Sequence, residues 1–428
     1  MQVSVENTST LERRMTVQIP AEQVDSIVRT RLQSMTRTVR LDGFRPGKVP
    51  FKVVERKFGP QVRLEALGEL ISSTYQEALQ QQNLRPAGDP RIEPPQSQGG
   101  ETLEYVATFE VYPDFEPAAV SGIKVSRPKA EVTDGDVDGM LEKLRKQRVD
   151  WESKEGAAAL GDRLIIDFEG TIDGEAFSGN KATSLPLELG SKTMIDTFED
   201  QLVGATAGEE RQVEVNFPAD YRFADVAGKP AHFQVKVSQV QVARLPELDD
   251  GFANSFGISE GGLAGLRAEV RRNMERELTQ TIKNKVKRQV FDALLEQNAI
   301  EVPRALVDSE VDALARQAEQ QGMQAGGREA FEKEAHRRVA LGLIIGEIIR
   351  RNQLQVDPER VRAEVDALSA SYEKPEEVVQ YYYNNRDALA GVQSYVMEDI
   401  VTEWVLEQAR VSEESSTFDG IMQSGGQA

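Results

Sequence analysis

Gly161-Asp162-Arg163-Leu164-Ile165-Ile166-Asp167-Phe168-Glu169-Gly170 runs into Asp173-Gly174-Glu175-Ala176-Phe177, a β-prone run that ends on an Asp-Gly turn. The pattern recurs downstream. Arg163 to Phe168, Leu185 to Leu189, Arg211 to Phe217 and His232 to Val242 are short β segments, separated by turns rich in glycine and aspartate such as Ala207-Gly208. Residues 152–245 are therefore predicted to form a small β-rich domain.

Upstream, Thr133 to Trp151 read as a short helix, with Thr133 as cap and Asp136 three residues on in a capping-box-like arrangement. Residues 113–132 hold Pro113, Pro117, Gly122 and Pro128 and read as an extended connector. Residues 1–112 read as α+β. Val3 and Val5, then Met15, Val17 and Ile19, alternate as strand residues do. A helical stretch opens at Pro20-Ala21-Glu22 and carries Val24, Ile27, Val28 and Leu32 at helical spacing. A second helical run covers Phe51 to Gln82, and Leu103, Tyr105, Ala107, Phe109 and Val111 mark a half-buried strand.

Beyond residue 246 the strand signal vanishes. Gly262 to Asn298 is a long helical pattern, about 55 Å if unbroken. Ile300-Glu301-Val302-Pro303 breaks it, with Pro303 placed to start the next helix. Further helical runs cover 304–321, 328–352, 358–372, 375–384 and 386–410, and the polar tail from Ser412 is expected to fray. Met274, Ile282, Val286, Val290, Phe291, Leu294 and Leu295 recur at helix spacing, as do Val339, Leu341, Leu343, Ile344, Ile345, Ile348 and Ile349. Such stripes pack a helical bundle, or in part stay open to bind unfolded chains. The fold class predicted is a multidomain α+β chain with a β-rich central domain and an all-α C-terminal region.

Composition narrows the function. A chain of 428 residues has room for two to four domains, and 39% hydrophobic with 29% charged residues is globular rather than disordered. No apolar run reaches the roughly 18–20 residues of a membrane helix. Met1 to Pro20 shows no signal-peptide core, so a cytoplasmic location is expected, and the lack of cysteine fits a reducing compartment. Without cysteine there is no thiolate nucleophile or zinc–thiolate site. The two histidines, His232 and His336, stand far apart, which argues against a metal site or a Ser-His-Asp triad. No nucleotide motif is present, so no cofactor and no ATP dependence are expected.

A net charge of −20 opposes general nucleic-acid binding, but it hides a local exception. Arg29, Arg31, Arg37, Arg40, Arg45, Lys48, Lys52, Arg56, Lys57 and Arg63 are opposed only by Asp42 and Glu55 in that window, a local charge of +8. The window is either a solvated basic helix face or a patch that docks on a polyanion. At its centre, Gly43-Phe44-Arg45-Pro46-Gly47-Lys48-Val49-Pro50 sets an aromatic between cations on a loop braced by glycines and prolines. That suits contact with RNA and protein together. It is not a phosphate-binding P-loop: too few residues separate the glycines, and Val49 replaces the required Ser or Thr.

This loop resembles the ribosome-docking signature of the trigger factor family, Gly-Phe-Arg-x-Gly-Lys-x-Pro. The resemblance implies that Gly43, Phe44, Arg45, Gly47, Lys48 and Pro50 bind the large ribosomal subunit beside the exit tunnel, at protein and rRNA. Pro46 stands where the family commonly has Lys, which removes a cation and a backbone donor. The β-rich segment is similar to an FKBP-type prolyl isomerase, in order through Leu185 to Gly190, Met194-Ile195, Phe198-Glu199, Gly204, Ala207-Gly208-Glu209, Phe217-Pro218 and Tyr221, with Phe233 in the closing strand.

Isomerisation of an X–Pro bond breaks amide resonance over a barrier of about 18–20 kcal/mol and cleaves nothing. A dry apolar pocket favours the twisted imide, and one or two hydrogen bonds hold the substrate carbonyl. The matching pocket positions are Phe168, Phe177, Leu187, Ile195, Phe198, Tyr221 and Phe233. By resemblance, Ile195 supplies a backbone donor and Tyr221 a hydroxyl. An ordinary β-domain core is the alternative reading. Asp196-Thr197 replaces the family's Pro-Gly, Ser178 an acidic residue and Gln201 a glycine. Asp167 and Glu169 read as strand-edge surface.

Residues 265–278, Val302-Pro303 with 306–310, and 342–350 also look like trigger factor. The resemblance implies a helical domain interrupted in sequence and completed by the helix near 133–150. It also implies nascent, unfolded polypeptide as client, no membrane partner, a monomer on the ribosome and a dimer as an option when free. The domains expected are 1–112 for ribosome binding, 113–151 as connector and helix, 152–245 for isomerisation, and 246–428 as the chaperone region. The function expected is an ATP-independent chaperone with prolyl isomerase activity. The alternatives are a stand-alone isomerase and a ribosome-assembly factor with an inactive isomerase module.

Overall fold

A computed structural model describes residues 1–42, 44, 48–94, 96–98, 102–221, 223, 225–258, 260–322, 327–370, 372 and 374–425. The first third holds β1 (Gln2–Asn7), β2 (Glu12–Pro20), α1 (Ala21–Thr38), α2 (Phe51–Gln81), β3 (Arg91–Ile92), β4 (Gln96–Gln98), β5 (Thr102–Glu110) and β6 (Lys124–Lys129). Next come α3 (Asp134–Gln147), β7 (Asp150–Ser153), β8 (Arg163–Thr171), β9 (Lys181–Glu188), β10 (Glu210–Asn216) and β11 (Pro230–Arg244). The remainder is α4 (Asp250–Asn254), α5 (Gly262–Gln297), α6 (Arg304–Gln320), α7 (Glu329–Asn352), α8 (Pro358–Ser369), α9 (Pro375–Asn384), α10 (Arg386–Gln408), β12 (Arg410–Ser415) and α11 (Phe418–Gly425). The chain divides into two compact units, residues 1–127 with 283–414, and residues 128–282 with 415–428.

In the first unit β1, β2, β5 and β3 lie side by side, with β4 also on β5. The alternation read in the sequence sets the register: Met15 faces Ala107 and Val17 faces Tyr105. Because side chains alternate across a strand, this register sends one apolar set inward against Leu70, Ile71, Tyr75, Ala78 and Leu79 of α2. Tyr105 is buried and its hydroxyl shares a hydrogen bond with Thr74 at 3.0 Å. A second small core, Leu32, Val49, Val54 and Val62, joins α1, α2 and the chain between them. The helices of this unit close their own cores: α6 on α7 through Val307, Val311, Leu314 and Ala335, and α8 with α10 through Val361, Val365, Val392 and Val396.

In the second unit the sheet order is β10-β11-β8-β9, with β7 also on β11. Buried Leu164, Ile166, Val213, Val235 and Val237 alternate inward from it. A separate helical core gathers Val137 and Leu141 of α3 with Leu266, Val270, Met274 and Leu278 of α5. Thr133 caps α3, and its partner Asp136 returns the bond to the Thr133 amide at 2.8 Å, so the capping box is present.

Three expectations are corrected. The helix placed over Thr133 to Trp151 stops at Gln147, and Trp151 instead lies in β7, opposite Ala243 of β11. β11 is 15 residues long and outruns β10, so it has room for an added strand. Trp151 is further covered by the Arg163 guanidinium, 4.4 Å from its ring centroid. The tail expected to fray is ordered through residue 425, the last one described: β12 pairs with β6, and α11 buries Phe418 and Ile421 in the helical core. Three-residue spacing puts those two side chains on one helix face, and their burial offsets the entropy of ordering an otherwise polar segment. Asp167 and Glu169 lie on β8, a strand paired on both sides rather than an edge. Asp167 Oδ1 accepts a hydrogen bond from the Ser184 amide at 2.7 Å.

Candidate active site and basic surface

β8 and β11 each carry one ring of the site. Phe168 stands on β8 and Phe233 on β11, and their rings meet edge to face with centroids 5.6 Å apart. Phe198, fully buried, closes the triangle at 6.1 Å from Phe168 and 5.4 Å from Phe233. Edge-to-face contact sets the positive rim of one ring on the negative face of the next, so the rings hold one another in a fixed arrangement. Phe177 reaches Phe233 at 6.1 Å and Phe217 at 5.7 Å, and Tyr221 reaches Phe217 at 4.9 Å. Leu187 of β9 is buried in the same cluster, and Ile195 packs on it half-buried.

All seven expected positions therefore lie in one cluster, but at two depths. Leu187, Phe198 and Phe233 are buried; Phe168, Phe177, Ile195 and Tyr221 are only partly covered. Among the described residues, the Ile195 amide and the Tyr221 hydroxyl make no hydrogen bond. An N–H and a hydroxyl without a partner are groups able to donate to a carbonyl oxygen. A cavity of about 350 Å³ opens beside Phe177, floored by Ile172 and Val226 and rimmed by Asp173, Glu175, Asp225 and Lys229.

The three departures have distinct structural consequences. Thr197 sits at φ 72°, the left-handed region, at the position where the family's glycine would fit without strain. Gln201 uses its side chain as a strand would: Nε2 donates to the Glu214 carbonyl at 2.8 Å, and Oε1 accepts from the Glu214 amide at 3.1 Å. Ser178 lines the cavity beside Phe177. Phe217 and Phe223 extend the ring chain and were not among the expected site positions. Their clustering about Tyr221 in the sequence was the available signal.

The basic window lies largely on α1 and α2. Arg31 pairs with Glu69 and Arg63 with Asp25 at 2.7 Å, so these two cations are partly neutralised. Phe44 is 40% exposed, and Lys48 is exposed as well. Buried Val49 anchors the returning chain, and Pro50 stands at the N-cap of α2. Gly43, Arg45, Pro46 and Gly47 lie outside the described residues.

The ring-lined β domain defines the class. Residues 154–238 match the family model for FKBP-type peptidyl-prolyl cis-trans isomerase, so the chain carries an isomerase domain of that type within a much larger protein. Residues 1–144 match the model described as bacterial trigger factor protein, and residues 262–407 match that of its C-terminus. The chain is 48% identical to trigger factor of Alkalilimnicola ehrlichii, over 99% of this chain and 95% of the relative. It is 47% identical to trigger factor of Thioalkalivibrio sulfidiphilus, over 99% and 98%, and 50% identical to that of Stutzerimonas stutzeri, over 98% and 97%. The chain belongs to the trigger factor family.

Proposed function

We propose that this chaperone-family chain docks in the cytoplasm at the ribosomal exit tunnel, binds nascent polypeptide without ATP, and isomerises X–Pro bonds. Residues 1–112 dock, 152–245 isomerise, and 246–428 with 113–151 hold the client. One observation carries the reading: an aromatic floor whose rim presents the unpartnered Ile195 amide and Tyr221 hydroxyl. The seven positions Phe168, Phe177, Leu187, Ile195, Phe198, Tyr221 and Phe233 form the pocket, with Ile195 and Tyr221 holding the carbonyl. Gly43, Phe44, Arg45, Gly47, Lys48 and Pro50 form the ribosome contact. The exposed apolar residues on α8, α9 and between them, Leu368, Tyr372, Tyr381 and Tyr383, support a client-holding role for the helical region.

The test has two arms. Tyr221→Phe removes only the hydroxyl, and is expected to slow a proline-limited refolding reaction several-fold with unchanged thermal stability. Phe198 is fully buried, so Phe198→Ala would report about 3–5 kcal/mol of lost packing instead. Phe44→Ala/Arg45→Ala should lose cosedimentation with ribosomes at low salt. Equal cosedimentation of that double variant overturns the docking assignment. No acceleration of refolding by the unaltered chain overturns the isomerase assignment and spares the chaperone one.

A further inference from the structure

The loop that ends at Ile195 is built around one carboxylate. Glu199 is 6% exposed. Its Oε2 accepts from the Gly190 amide at 2.8 Å and the Lys192 amide at 3.1 Å. Its Oε1 accepts from the Thr193 amide at 2.9 Å and the Met194 amide at 3.2 Å, with the Ser191 hydroxyl adding 3.1 Å. The remaining amide, of Ser191, donates to the Glu188 carbonyl at 3.2 Å. Every backbone N–H from Gly190 to Met194 is thus satisfied, and the next one along, that of Ile195, has no partner among the described residues. Hydrogen bonds to an ionised acceptor are stronger than neutral ones, so four backbone amides gathered on one buried carboxylate fix the loop's path. Burial opposes the charge, yet the Lys192, Met194 and Gly190 amides and the Ser191 hydroxyl hold the carboxyl below its ordinary value.

The far side of the loop is clamped too. Thr197 is β-branched and left-handed, a conformation that costs about 1–2 kcal/mol and persists only where neighbours over-determine it. The Phe198 amide donates to the Ile195 carbonyl at 3.0 Å, and Gln201 Nε2 donates to the Thr197 carbonyl at 3.1 Å. The turn is held from both ends, with Ile195 between them.

We infer that Glu199 is a positioning residue for proline isomerisation: by gathering the amides that precede Ile195, it fixes the loop so that the Ile195 N–H stays free for the substrate carbonyl. The inference rests on the isomerase reading above. Glu199 touches no substrate. It acts through the loop, as a buried acceptor that leaves one donor over.

The test uses the full chain with the isosteric Glu199→Gln, whose amide group sets an N–H against the loop's own N–H donors. kcat/KM for a proline-limited substrate is expected to fall about 10- to 100-fold, the scale of a misplaced reacting contact. Hydrogen exchange should quicken at residues 190–194 while β8 and β11 keep their protection. A Glu199→Gln chain that turns over as fast as the unaltered one overturns the inference and leaves the isomerase reading standing. An unaltered chain without isomerase activity overturns both. Should β8 lose protection in the variant, the unaltered chain decides. On acid titration, its Ile195 amide resonance should shift with the same midpoint as the Glu199 carboxyl carbon, below the usual glutamate value. An Ile195 amide that ignores the Glu199 titration overturns the inference.

Discussion

Gly170 of β8 lies directly opposite Phe233 of β11, and a Cβ built on it would stand 2.4 Å from Phe233 Cε1 and 2.6 Å from Cδ1. The glycine is there for space, because the ring of Phe233 occupies the volume where its side chain would be. That same ring contacts Phe168, Phe177 and Phe198. Gly170→Ala is therefore expected to push Phe233 out of its arrangement. The cost is about 1–3 kcal/mol, typical of overpacking a tight core. Isomerase activity should fall by more than the loss of folded protein explains. Comparing kcat with the folded fraction from near-ultraviolet circular dichroism checks this.

Thr197→Gly tests the strain in the turn. Relief of the left-handed penalty is worth about 1–2 kcal/mol, and the extra freedom of glycine in the unfolded chain takes back about 0.5–1 kcal/mol. The net expectation is a gain of about 0.5–1 kcal/mol in the β domain, read from denaturant unfolding. The loop remains held by Glu199 and Gln201, so its hydrogen-exchange protection should survive. Destabilisation by the glycine would show that Thr197 makes a compensating contact.

Strand alternation made β2, β5, β8 and β11 legible, since Met15, Val17 and Ile19 or Val235 and Val237 must share a face. The helices α1, α2 and α5 to α10 announced themselves by apolar spacing and by Pro303, Pro358 and Pro375 at or beside their starts. The seven pocket positions followed from ordered resemblance, and their shared cluster followed from the fold. What stayed hidden was what depends on distant partners. β7 exists because β11, over 80 residues later, supplies its ladder. α11 exists because α3 and α5 leave an apolar surface for Phe418 and Ile421. Glu199 entered only as a neighbour of Phe198 in the ordered resemblance, and its role stayed hidden because its partners are backbone amides, which every residue type carries.

Glu347 on α7 gives a pH dependence of known sign. The Arg350 guanidinium, aided by Arg351, outweighs burial and holds the Glu347 carboxyl down at about 2. Arg351 also reaches Glu116 at 2.8 Å. A depressed folded value means the stabilisation is fully present above the ordinary glutamate value. It is lost as acid is added, from about 4.5 down through about 2. Thermal unfolding of the unaltered chain should fall across that window, and Glu347→Gln should flatten part of the fall. Identical acid profiles for the two chains would show that Glu347 has no such share.

Asp399 on α10 carries the last expectation. Its carboxylate meets Lys287 and Lys283 of α5, each at 2.5 Å, and it is 4% exposed. Lys287 is nearly as buried and stands 4.0 Å from the Tyr395 ring centroid, which offers its negative face to the ammonium. Lys283 reaches solvent and can rehydrate if its partner is removed; Lys287 cannot. Asp399→Asn therefore leaves Lys287 only the more exposed Glu398 carboxylate at 3.5 Å, and the expected loss is about 3 kcal/mol in the α5–α10 pairing, the low end for a broken buried pair. Asp399→Leu combined with Lys287→Met removes the buried pair together. Such replacements are often neutral or stabilising, by up to about 1–4 kcal/mol, because no desolvation cost remains. Trp404 lies on α10, so its fluorescence in a Trp151→Phe background reports unfolding of this region. A double variant no more stable than Asp399→Asn would mean that the pair, rather than the packing around it, holds these helices together.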